Sequence, residues 1–192
     1  MPELGPVNKT EIVKLKETFI RYRSAYERDI LNTAGLVSYW RLGEVSGLAI
    51  DNKNGNNGTF NGTNGQGTGV IFGDGQKATD FDGSTTYIEV PDSNSLDIQS
   101  DLTIEMWFKP DALGDGDDTW LISKGNIGSA TDQSYGILMQ ASGQLVSRTG
   151  TSSAIGGIGS KQTITTGKWW HIVFTYTSSD KKHRMYLNRY ET

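Results

Sequence analysis

The sequence predicts a mainly β protein, a sandwich of antiparallel strands preceded by one N-terminal α-helix. Three observations carry that reading. From residue 36 onward, short runs of apolar and aromatic residues recur with a period of two. Turn-forming clusters (PDSNS, DALGDGDD, ASGQ and SSDKK) separate the runs, with no helical segment between them. Only the first 31 residues carry a helical period instead. Composition agrees: 24 glycines and 4 prolines suit a turn-rich sheet protein, and 10% aromatic residues supply core volume where the apolar fraction is only 35%.

The helix is expected over residues 8–31, NKTEIVKLKETFIRYRSAYERDIL, with Asn8 as N-cap and Glu11 completing a capping box. Ile12, Leu15, Phe19, Tyr22 and Tyr26 follow at spacings of three and four and so share one face. The plainer use of that face is packing on the helix's own domain; the sharper one is anchoring or oligomerisation. Two heptads are too few for a coiled coil. Residues 1–31 carry a net +1 and the remainder -5, so the composition changes near Asn32-Thr33-Ala34-Gly35. This places a helical segment at 1–34 and the β domain at 35–192.

After Gly35 the expected strands are LVSYWRL, TTYIEVP, LTIEMWFKP, WLISK, YGILMQ, QLVSRT, QTITT, WWHIVFTYT and RMYLN. In LTIEMWFKP, Leu102, Ile104, Met106 and Phe108 face one way and Thr103, Glu105, Trp107 and Lys109 the other, the pattern of a half-buried antiparallel strand. In WWHIVFTYT the apolar face is Trp170, Ile172, Phe174 and Tyr176. Trp169, His171, Val173 and Thr175 form the other face, on which Trp169 is a possible ligand platform. Residues 51–69, DNKNGNNGTFNGTNGQGTG, are expected as a loop, since Asn and Gly both tolerate positive φ.

Several classes are excluded or disfavoured. The chain has no cysteine, which removes disulfides and thiolate metal sites, and two histidines are too few for a typical zinc site. A net charge of -4 argues against nucleic acid as a partner. No run has the length of a membrane span, and the charged N-terminus lacks the apolar core of a signal peptide.

In order along the chain, LVSYWRLGEVSG, DNKNGNNGTFNG, ATDFDGSTTYIEVPDSNSLDIQSDLTIEMWFKPD and GKWWHIVFTYTSSDKKHRMYLN resemble the motifs of laminin G-like domains of the concanavalin A-like lectin/glucanase superfamily. The resemblance covers roughly residues 35–188. It implies a jelly roll of two antiparallel sheets, mostly non-catalytic, binding carbohydrate or protein, in many members with a calcium ion. The helix followed by YERDILNTAGLVSYWRLGE also looks like the start of such modules in tail and other virion proteins of bacteriophages. A virion protein is made in the host cytoplasm without a signal peptide, so the resemblance implies display on a virion surface. The implied partners are virion structural proteins, further copies of this chain, or a cell-surface glycan. A purely structural capsid or tail component and a glycan hydrolase are the alternatives.

Calcium takes carboxylate, amide and carbonyl oxygens from loops. Two places offer them. One is Asp51 with Asn52 and Asn54, helped by Asp82 of DFDG; the other is Asp115, Asp117 and Asp118 of DALGDGDD. Solvated turn acids are the plainer reading of both, and the resemblance favours Asp51. A sugar site needs an exposed aromatic ring with amide and carboxylate neighbours, and Trp120, Tyr135 and Tyr87 qualify by position, with core packing as the plainer reading. Catalysis is not expected. Superfamily glucanases place Glu-x-Asp-x-Glu on one strand, whereas this strand has Glu105 alone, without an evident partner, as is His171. The family pattern includes Trp-x-His, which moves Trp169 and His171 toward packing. After MYLN the family continues into a glycine turn and closing strands. Here Asn188 is followed by Arg189-Tyr190-Glu191-Thr192, so the turn and the closing strands are not expected within the sequence; the Ile12/Leu15/Phe19 helix face, a neighbouring copy or partner, or a sandwich smaller than its relatives would each account for the open edge, and the second agrees best with a protein of an assembly.

Overall fold

The computed structural model describes residues 26–44, 46–70, 77–114, 118–125, 134–151, 154–188 and 190–191. The chain forms two compact units, Met1–Asp92 and Ser93–Thr192.

In the first unit a helix, α1, covers residues 26–31. It is followed by β1 (Leu48–Ala49), β2 (Gly58–Asn61), β3 (Gly65–Thr68), β4 (Lys77–Asp80) and β5 (Tyr87–Glu89). These make a three-stranded sheet in the order β1-β2-β5 and a β3-β4 hairpin, both antiparallel. The helix ends in a reversal at Gly35, whose φ is +77°. Its last turn is tied down: Arg41 meets Glu27 at 2.9 Å, and the Lys53 ammonium donates to the Leu31 carbonyl at 3.0 Å, a favourable cation at a helix C-terminus. Of the expected helix face only Tyr26 lies among the described residues; Ile12, Leu15, Phe19 and Tyr22 lie outside them.

Two expectations change in this unit. LVSYWRL is not a strand but makes a single bridge, Trp40 to Asp51, and Leu42 at φ +55° breaks the extended run. The Asn-Gly stretch, expected as loop throughout, contains β2 and β3. Its glycines Gly55 and Gly62 supply positive φ at the turns, so the same composition that marks turns also holds two short strands between them.

The second unit begins with a 3-10 turn, Asn94–Leu96, capped by Ser93. The strands are β6 (Leu102–Phe108), β7 (Thr119–Lys124), β8 (Ser134–Met139), β9 (Gln144–Thr151), β10 (Ala154–Thr163), β11 (Trp170–Thr177), β12 (Lys182–Leu187) and β13 (Tyr190–Glu191). They form two antiparallel four-stranded sheets, β13-β12-β11-β6 and β10-β9-β8-β7. The sheets face each other across one core: Leu102, Ile104, Trp170, Ile172, Phe174, Met185 and Leu187 from the first meet Tyr135, Ile137, Met139 and Leu145 from the second. The alternation expected in LTIEMWF and in WHIVFTYT is observed, and Trp170 is a core residue. Burial of each large apolar side chain here contributes about 1.5–3 kcal/mol.

β10 occupies residues 154–163, upstream of the expected QTITT, and its sequence AIGGIGSKQT has little strand propensity. Tertiary fit overrides propensity at this position. A Cβ on Gly157 would lie 2.4 Å from the Ser147 carbonyl oxygen, and one on Gly156 would lie 2.8 Å from Cε1 of His183. The chain also turns after Leu187, contrary to expectation. Asn188 takes the left-handed conformation, at φ +49°, that a glycine was expected to supply, and Tyr190 pairs with Leu187.

Candidate functional site

The outer face of the β6-β11-β12 sheet carries an organised polar and aromatic cluster. Period two sends Thr103, Glu105 and Trp107 of β6 away from the core, and His171, Val173 and Thr175 of β11 do likewise. The antiparallel register puts Trp107 directly opposite His171 and Glu105 opposite Val173. Cross-strand neighbours on one face are close enough for rings to stack. The indole and imidazole do so, with centroids 4.5 Å apart and planes at 26°. The diagonal neighbour Glu105 closes the cluster, its Oε1 lying 2.8 Å from His171 Nε2. The backbone of His171 is fixed from the opposite strand. Its N–H donates to Asn188 Oδ1 at 3.0 Å, and its carbonyl accepts the Asn188 N–H at 2.9 Å.

Each side chain in this cluster therefore has one arrangement, yet the cluster is open. Trp107 is 41% exposed and the Glu105 side chain 45%, while the His171 side chain, at 18%, is largely covered. The imidazole covers one face of the indole, and Trp107 keeps 41% of its surface exposed. Tyr186, opposite Val173, lies on the same face. Arg184, opposite Thr175, is held by Asp180 at 3.5 Å.

Trp107 and the Glu105–His171 pair were not identified as a site from sequence. The alternation of β6 does put Glu105 and Trp107 on one face, but the register against β11, 66 residues later, is what supplies Glu105 with a partner. His171 is packed, as expected, though on the outer face and with that partner. Trp169 remains partly buried beside it.

The three expected aromatic positions differ. Tyr87 of β5 is, among the described residues, the most exposed large aromatic, at 55%, with Asn61 as its register partner and Thr59 and Glu89 paired one step along the same face. Trp120 is exposed on β7, an edge strand of the second sheet. Tyr135 is core: its ring is buried and its hydroxyl donates to the Leu96 carbonyl at 3.1 Å, so it offers no platform. Burial raises its pKa.

The expected calcium positions also have definite geometry. Asp51, 6% exposed, accepts four backbone N–H groups: Tyr39 at 2.8 Å and Lys53 at 3.0 Å on one oxygen, Asn54 at 3.1 Å and Asn56 at 2.9 Å on the other. Burial alone would raise its pKa; the N–H groups outweigh burial and hold it below the usual carboxylate range. Asp82 is likewise surrounded by donors, the Thr85 hydroxyl and the N–H groups of Ser84, Thr85 and Thr86, which hold its carboxyl far below the ordinary value. A concavity of N–H donors suits an anion, and Asp51 fills one with both of its oxygens engaged, whereas Asp82 has its N–H donors on Oδ1 and only the Thr85 hydroxyl on Oδ2. Asn52 and Asn54 use their side-chain NH2 groups on Ile50 and Val37 carbonyls. Asp118 is exposed just before β7, and Asp115 and Asp117 lie outside the described residues. Among the described residues no group of three or more His, Asp or Glu side chains gathers as a metal site. Nor is any helix among them long and apolar enough to cross a membrane.

The fold is thus a lectin-like β-sandwich with aromatic and carboxylate side chains on an outer sheet face. Its family is defined by sequence: residues 82–189 match the laminin G-like model described as the concanavalin A-like lectin/glucanases superfamily, and the chain belongs to that family. Among solved structures it is similar to residues 221–444 of an S-layer domain-containing protein from Clostridium thermocellum. That similarity has a TM-score of 0.51 at 18% identity and covers 81% of this chain and 70% of the other, a likeness of fold. No curated protein matches the chain.

Proposed function

We propose that this chain is a non-catalytic glycan-binding module, displayed on a surface, whose platform is Trp107. The observation that carries the reading is the preorganised, exposed indole. Its ring is already fixed by His171 and Glu105, so a sugar that stacks on it meets no ordering cost from this side chain. The C–H face of a pyranose is apolar and weakly positive, and it complements the negative π face of the indole. Glu105 supplies hydrogen-bond acceptors at the edge of the ring.

The non-catalytic part of the proposal rests on the same cluster. A glycosidase needs two carboxyl groups across one sugar bond, about 5–9.5 Å apart. On the outer faces of β6 and β11, Glu105 is the one carboxylate, and it is engaged by an imidazole. The surface on which the module is displayed is, in our reading, that of a bacteriophage virion, where it meets virion proteins or further copies of itself. This rests on the resemblance of the helix and the YERDILNTAGLVSYWRLGE segment to virion modules. Replacing Trp107 by Ala should weaken glycan binding about tenfold or more without changing thermal stability appreciably. Unchanged binding would favour a structural role without ligand, and release of reducing sugars by the wild type would favour a hydrolase.

A further inference from the structure

We infer that the Trp107 platform selects neutral sugars that present adjacent hydroxyl donors, and that Glu105 rejects sugars bearing a carboxylate. This inference rests on the glycan-binding reading and adds the chemical class of the ligand.

The hydrogen bonding of Glu105 sets what a ligand beside the indole must offer. A carboxylate has no hydrogen to give, so in the 2.8 Å contact His171 Nε2 is the donor and Glu105 Oε1 the acceptor. Among the described residues Glu105 has its Oε2 left over, on a side chain that is nearly half exposed. Glu105 therefore places an acceptor beside Trp107 on the outer face. A ligand that stacks there must bring donors, and neighbouring hydroxyl groups on a pyranose do so with a spacing close to that of two carboxylate lone pairs.

The same carboxylate disfavours acidic sugars. A ligand carboxylate placed beside Glu105 is an acceptor facing an acceptor and a negative charge facing a negative charge. At about 4 Å, even in water-like surroundings, that repulsion weakens binding about fivefold, and more where water is excluded. Arg184, a nearby cation that could offset it, is engaged by Asp180. The net charge of -4 acts in the same direction.

The test is binding of the full chain to an array that pairs neutral hexose oligosaccharides with uronic acid oligosaccharides of the same linkage, for the wild type and for Glu105→Gln. The amide keeps the shape and the acceptor for His171 Nε2 but replaces the charge with a donor. The expected result is a wild-type preference for the neutral member of about fivefold or more, which narrows in E105Q because uronate binding improves. Equal or tighter binding of the uronate by the wild type overturns the inference, as does a preference that E105Q leaves unchanged; in both cases the glycan-binding reading survives. No binding to any member of the array overturns both. A wild-type preference is readable without the variant, so the test does not depend on E105Q folding.

Discussion

Asp51 shows how one side chain can organise a loop whose composition suggests no structure. Its carboxylate gathers four N–H groups from Tyr39, Lys53, Asn54 and Asn56, and its own N–H donates to Asn57 Oδ1. Lys53 and Asn54, placed by those bonds, then reach the Leu31 and Val37 carbonyls. Charge-assisted bonds of this kind are individually worth about 1.5–3 kcal/mol, so Asp51→Asn, which puts an NH2 among N–H donors, should cost at least about 2 kcal/mol in denaturant unfolding. The loss should be the same in calcium and in chelator. The native pKa lies below the ordinary 3.8, so this stability is present above pH 3.8 and is lost as the pH falls through the lower native value. His183 titrates in a different window. It is stacked on Phe174, tilted against Tyr176 and bonded to the Thr149 hydroxyl at 2.7 Å, and burial lowers its pKa below the ordinary 6.5. The unfolded chain takes up this proton first, so the His183 contribution is complete above pH 6.5 and declines as the pH drops toward the native value. A proton-carbon NMR titration should find the imidazole midpoint below 6.5.

Among the elements, β6, β11 and β12 were legible in the sequence and β10 was not, for a definite reason. The first three alternate apolar and polar residues because one sheet face is core and the other is solvent, and that alternation is written residue by residue. β10 was misplaced because its glycines are selected by what lies opposite them, the His183 ring and the Ser147 carbonyl, and neither is visible from local pattern. Gly156→Ala should therefore destabilise by about 1–3 kcal/mol in chemical unfolding, since the His183 ring, packed against Phe174 and Tyr176 and bonded to Thr149, has little room to retreat. The β12-β13 turn was missed for a related reason. Asn188 tolerates positive φ and is also held there by two bonds to His171, so a glycine was not required.

At the scale of the whole molecule, the sequence revealed the family through ordered motifs, and the structure located the aromatic side chains that the motifs do not specify. Trp107 escaped notice because its partners arrive from β11, while Tyr135, a nominal platform, turned out to be core. The sheet face carrying Tyr87, Asn61 and Glu89 in the first unit and the edge residue Trp120 in the second are the comparators for any claim about Trp107. The most direct measurement is glycan-array binding of the wild type beside Trp107→Ala, Trp120→Ala and Tyr87→Ala, each verified as folded by thermal unfolding. The account predicts glycan binding by the wild type, retained in W120A and Y87A and reduced about tenfold or more in W107A. Binding that survives in W107A while disappearing in either of the others would contradict it.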